Sequence, residues 1–156
     1  MTDWINSPHA CLVLVICALW PLWLAPALAA PPKTEPCSLL TAAEVEQVVG
    51  KLKGSPKADQ EGDAKWCNYE FANGKDAMEV WVFPADAIER GRKVSKKPVA
   101  VKGFGDDAFM DRGMHGLNYV NLFVKKGTVT VKFSLQETVG DEDKLKALAQ
   151  KALGRF

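Results

Sequence analysis

Hydrophobic positions along the chain fall into distinct regimes. From Ala10 to Leu24 they are nearly continuous, with Leu, Val, Ile, Ala, Cys and Trp following one another without a charge. Beyond Cys37 they recur either every three to four residues, as on one face of a helix, or every second residue, as on one face of a strand. Thr41-Ala42-Ala43-Glu44 has the spacing of a capping box, and Val45, Val48 and Val49 form an apolar stripe ahead of Gly50. A helix is therefore expected from Thr41 to about Val49. Lys51 to Asp63, rich in Lys, Gly, Asp and Pro, reads as an exposed loop. The period then changes to two. Cys67, Tyr69 and Phe71 are expected on one face of a strand and Trp66, Asn68 and Glu70 on the other, with Asn73-Gly74 as a hairpin turn. Met78 to Phe83 returns as the partner strand. It is apolar on both faces, which predicts cover on both sides.

A weaker helix is expected over Ala85–Val94, with Ala87, Ile88 and Gly91 inward. Short strands follow at Val99–Lys102 and Ala108–Met110, separated by the turn Gly103 to Asp107. Leu117–Lys125 and Thr128–Leu135 form the clearest hairpin, joined across Lys126-Gly127. Its second strand alternates Val129, Val131, Phe133 and Leu135 with Thr128, Thr130, Lys132 and Ser134, the pattern of one buried and one wet face. Asp141 is placed as the N-cap of a last helix with its stripe at Leu145, Leu148, Ala149, Ala152 and Leu153. The order α-β-β-α-β-β-β-α predicts an α+β domain, an antiparallel sheet of four to six strands packed against two or three helices.

The apolar N-terminal run is broken by Pro21 and Pro26 and is too short to read as a spanning helix. It ends in Ala27-Leu28-Ala29, the small-x-small pattern of a signal-peptidase site, so residues 1–29 are expected to be a signal peptide. Cys11 and Cys17 lie at the start and middle of that run, where lipid attachment is not expected. Residues 30–36, with Pro31, Pro32 and Pro36, read as an extended leader, and residues 37–156 as a single domain. The expected location is periplasmic or secreted. Removing the signal leaves Cys37 and Cys67 in a compartment where disulfides persist, and they are expected to pair. A loop of about 30 residues closed in this way stabilises a fold by roughly 3 to 4 kcal/mol in the chain-entropy model.

The segments Cys37-Ser38-Leu39-Leu40-Thr41-Ala42-Ala43-Glu44-Val45, Cys67-Asn68-Tyr69 and Gly103-Phe104-Gly105-Asp106-Asp107-Ala108-Phe109, in this order, resemble a family of small secreted bacterial proteins of unknown function, many of them lipoproteins. The resemblance covers nearly the whole chain after the signal. It implies an exported α+β fold with a paired Cys, and it implies no activity, cofactor or catalytic residue.

With 20 Lys and Arg against 19 Asp and Glu, the near-neutral balance argues against a dedicated nucleic-acid protein. The densest charge cluster is Arg90, Arg92, Lys93, Lys96 and Lys97, a candidate contact for anionic lipid or another polyanion. Asp106, Asp107 and Asp111 form an acidic group near glycines, a weak candidate for a hard cation. An Asp turn that bonds nearby amides explains the same residues without metal. His115 is the one histidine after the signal, and no Ser, Cys or Asp near it forms a triad pattern. Gly103-x-Gly105 lacks the third glycine and following helix of a phosphate loop. Trp66 and Trp81 are candidates for a ligand surface as well as for the core. These readings favour a monomeric, non-enzymatic binding module without cofactor, whose partner is an envelope protein or surface component. The rival is a hydrolase-like or metal-dependent enzyme using Asp106, Asp107 and His115.

Overall fold

The computed structural model describes residues 34–74, 77–113 and 118–156. The expected signal peptide, most of the leader and His115 lie outside the described residues. A 3-10 turn at Pro36–Ser38 opens the domain one residue ahead of the expected boundary, with Pro36 buried. Helix α1 (Ala42–Val48) follows, then strands β1 (Lys57–Glu61), β2 (Ala64–Glu70) and β3 (Ala77–Pro84), helix α2 (Ala87–Val94), strands β4 (Val99–Ala100), β5 (Asp107–Arg112), β6 (Tyr119–Lys126) and β7 (Val129–Gln136), and helix α3 (Glu142–Ala152). All strand pairs are antiparallel, in one sheet of order β1-β2-β3-β7-β6-β5-β4. The α+β class is as expected, and the sheet has seven strands where four to six were expected.

The additional strand is β1. Lys57-Ala58-Asp59-Gln60-Glu61 carries no apolar period and every residue in it is exposed, so nothing in its composition marks it as a strand. Its backbone ladder to β2 places it, with Glu61 opposite Ala64 across the turn at Gly62, where φ is +57°. The expected loop from Lys51 to Asp63 is further reduced by Leu52, which is buried and bridges Phe71.

One face of the sheet carries the main core. Cys67, Tyr69, Met78, Val80, Val82, Leu122, Val124, Val131, Phe133 and Leu135 project from it against Leu39, Leu40 and Val45 at the α1 end and Leu145, Leu148, Ala149 and Ala152 of α3. Burying a side chain of this size contributes about 1.5–3 kcal/mol, so these positions supply most of the drive to fold. Helix α1 has only seven residues, too few to persist alone, and it is held from several sides. Cys37 and Cys67 form the expected disulfide. The Tyr69 hydroxyl donates to the Leu40 carbonyl at 2.7 Å, and burial pushes this phenol well above its usual range. The capping box is present, with the Glu44 N–H donating to Thr41 Oγ1 and the Thr41 N–H to Glu44 Oε2. Arg155, beyond α3, forks the Glu44 carboxylate at 2.7 and 2.8 Å and donates to the Leu39 carbonyl.

The opposite, outer face differs from expectation in two places. On β7 the supposedly wet residues Thr130 and Ser134 are buried. Their hydroxyls donate to the Ala85 carbonyl and to Asn121 Oδ1, which removes the cost of desolvating them. On β3, where cover on both sides was expected, Trp81 and Phe83 are half-buried and stack on each other, and Trp81 also stacks on Trp66. Helix α2 lies at the other end of this face, with Ile88 on Phe109 and Phe123. Its Gly91 has a packing reason, because a Cβ there would meet Phe123 at 2.9 Å and Phe109 at 3.3 Å. The helix approaches these rings more closely than an alanine would allow.

Two outcomes follow. Replacing both Cys37 and Cys67 by Ala is expected to lower the unfolding free energy by about 3 to 4 kcal/mol, read from urea titrations of the mutant beside oxidised protein. The Arg155 guanidinium and the Thr41 N–H hold the Glu44 carboxyl at about 2, below its ordinary 4.5. A carboxyl depressed by folding contributes fully above 4.5 and loses its contribution as the pH falls through about 2. Acid titration followed by circular dichroism is expected to show this step in the natural protein and to lack it in Glu44→Gln.

Candidate functional site

Strand register sets the outer face out in rows. One row runs Trp66, Trp81, Lys132, Phe123 and Phe109 across β2, β3, β7, β6 and β5. Its rings and cations form a nearly continuous line. Trp66 and Trp81 stack with centroids 4.3 Å apart, Lys132 Nζ lies 4.8 Å from the Trp81 ring, Phe109 and Phe123 stack at 4.6 Å, and the Arg92 guanidinium lies 5.2 Å from the Phe109 ring. Burial pushes the Lys132 ammonium down, and the Glu79 carboxylate opposes that shift. Glu79 also accepts from Trp81 Nε1 at 2.9 Å, which fixes the indole edge.

A second row, two residues along each strand, is polar and runs Asn68, Glu79, Ser134, Asn121 and Asp111. In its middle, Ser134 donates to Asn121 at 2.7 Å. At its two ends, Asn68 Oδ1 and both carboxylate oxygens of Asp111 are buried without a hydrogen-bond partner. A row of this kind has a sequence signal only in retrospect: Asn121 inside Val120–Val124 and Asp111 after Ala108–Met110 interrupt strands that are otherwise apolar.

The acidic group of the sequence is dispersed. Asp106 Oδ2 accepts from the Gly127 N–H at 2.6 Å and ties the Gly103–Asp107 turn to the β6–β7 hairpin. Gly105 makes this approach possible, because at its φ of +52° a side chain would collide with the Lys125 carbonyl. Arg92 Nη2 donates to both carboxylate oxygens of Asp107 at 2.8 Å. Asp111 lies apart, on the sheet. Among the described residues no three His, Cys, Asp or Glu side chains group so as to hold a metal ion. The three aspartates thus serve two structural tasks and one open position, in place of a common cation site.

The basic cluster divides in the same way. Arg90 pairs with Asp86 one turn earlier, and Arg92 pairs with Glu89 and Asp107. Lys93, Lys96 and Lys97 are exposed and are the members of the cluster left for an outside anion. The exposed Val94 and Val99 lie among them.

No protein-family model, no curated protein and no solved structure matches this chain. No helix among the described residues is long and apolar enough to cross a membrane.

Because the Arg92 guanidinium lies over the Phe109 ring while Nη2 holds Asp107, a stacked contact that a compact ammonium does not reproduce, Arg92→Lys is expected to cost about 1 kcal/mol. Arg90→Lys, an exposed pair on one helix, should change stability by less than about 0.5 kcal/mol. Urea midpoints at constant slope test this contrast.

Proposed function

We propose that the domain is an exported, non-enzymatic binding module that holds a protein or surface component of the bacterial envelope against the outer face of its sheet. The observation that carries this reading is the half-buried ladder of Trp66, Trp81 and Phe83 on β2 and β3, with Lys132 beside it. Large rings with one face packed and one edge wet supply contact area at low entropy cost, which is the character of interface anchors. Glu79 holds the Trp81 indole in place before any partner arrives, so little ordering remains to be done on binding. The disulfide and the capped, clamped α1 support an exported setting, in which a small domain must keep its shape without assistance. Lys93, Lys96 and Lys97 lend the same module a peripheral contact to anionic surface. The enzyme reading loses support from Asp106 and Asp107, whose carboxylates are engaged within the fold.

The test is site-specific photocrosslinking in intact producing cells, with a photoreactive phenylalanine in place of Trp66 and, as control, of Gln47 on α1. A discrete adduct is expected from position 66, competed by excess untagged domain and not by its Trp66→Ala/Trp81→Ala form. Equal capture from position 47, or competition by the doubly substituted domain, would count against the reading.

A further inference from the structure

Strand β4 is only two residues long, and this leaves an opening at the β5 edge of the sheet. The register Val99↔Met110 puts Pro98 level with Asp111, and Pro has no N–H to extend the ladder. Where the chain turns away, a cleft of about 400 Å³ opens, bordered by Lys96, Lys97, Val99, Met110 and Asp111 and, on the α3 side, by Arg112 and Glu142. That volume lies within the range of small-molecule sites.

The groups lining it differ in what they lack. Arg112 and Glu142 satisfy one another at 3.0 Å, and Arg112 also binds Glu137. Asp111 is only 2 % exposed, and among the described residues neither of its oxygens has a hydrogen-bond partner. Asn121, directly across the ladder, spends its carbonyl on Ser134. Lys96 and Lys97 sit at the mouth, exposed and without an ion pair among the described residues. A carboxylate removed from water without a donor is costly, and one retained in a fold calls for a partner such as an ion or ligand. Val99, which is exposed, adds an apolar surface to the same cleft.

We propose that this cleft binds a small zwitterion of dipeptide size, its ammonium meeting Asp111, its carboxylate meeting Lys96 and Lys97, and its apolar side chain lying on Val99. A ligand with only one charge would leave one end of the site unanswered. The site lies at the β5 edge, away from Trp66 and Trp81, so it stands or falls independently of the sheet-face reading.

The experiment is titration calorimetry on the oxidised, signal-free chain with three probes: leucyl-leucine, its C-terminal amide and its N-acetyl form. Leucyl-leucine should bind saturably, and each blocked form should bind about tenfold more weakly, as expected for losing one charge-assisted contact. Asp111→Asn should weaken leucyl-leucine and the amide by a similar factor and leave the N-acetyl form unchanged. Lys96→Gln/Lys97→Gln, two surface changes with no bearing on folding, should weaken leucyl-leucine and the N-acetyl form and spare the amide. The proposal is overturned if leucyl-leucine gives no saturable heat at millimolar concentration, or if both variants bind all three probes as the natural chain does. It is equally overturned if a lysine swings inward to answer Asp111, which would appear as Asp111→Asn binding leucyl-leucine more tightly.

Discussion

The fold depends on fastening a short helix to a wide sheet. A seven-stranded sheet exposes two broad faces, and one of them is closed by only α3 and the seven residues of α1 with the turn before it. Helix propensity cannot keep a segment of that length in place. What does is a covalent bond from Cys37 to the buried centre of β2, one hydrogen bond to the Leu40 carbonyl, and a salt bridge reaching from the far end of the chain. Leu39, Leu40 and Val45 are fully buried as a result, and without them the β2–β3 end of the core would open to water. The ends of the domain are thereby locked to each other. Arg155 braces the helix at the start of the domain, and Lys126 of the β6–β7 hairpin donates to the Leu153 carbonyl at the end of α3.

The division of labour between the two faces follows from this closure. With α1 and α3 committed to one side, only the eight residues of α2 remain for the other, and they cover the Phe109–Phe123 end. The rest of the outer face is finished by side chains alone, through stacked indoles, a lysine laid over one of them, and a polar row hydrogen-bonded at its centre. Such a surface is rigid without being fully buried. It also explains how Thr130 and Ser134 come to be interior residues on a strand that alternates cleanly between apolar and polar, since each has a nearby acceptor.

Much of the architecture was legible because its causes are local. The capping box at Thr41, the Asp141 cap, the alternation on β2, and the inward set Ala87, Ile88 and Gly91 all depend on neighbours within a turn or a strand, and all appear where they were expected. What escaped depends on partners distant in sequence. Strand β1 has no pattern of its own and exists only as a ladder on β2. The burial of Thr130 requires the Ala85 carbonyl, and the scattering of Asp106, Asp107 and Asp111 requires Gly127, Arg92 and the sheet register. Adjacent letters suggested one acidic site, and strand alternation together with the β6–β7 turn sent them to different places. Trp66 and Trp81 were legible as a cross-strand pair, but the partnership of Trp81 with Lys132 was not, because the two are far apart in sequence.

The strand order also bears on the timing of assembly. The last strand to be made, β7, lies in the middle of the sheet, with β3 on one side and β6 on the other. Its ladder to β6 closes through an adjacent hairpin turn, whereas its ladder to β3 joins segments separated by α2 and three strands. Closure is therefore a late, long-range event, slow by the standards of chains whose contacts are local. Until that ladder forms, β3 and β7 each lack an inner neighbour and the sheet is not continuous.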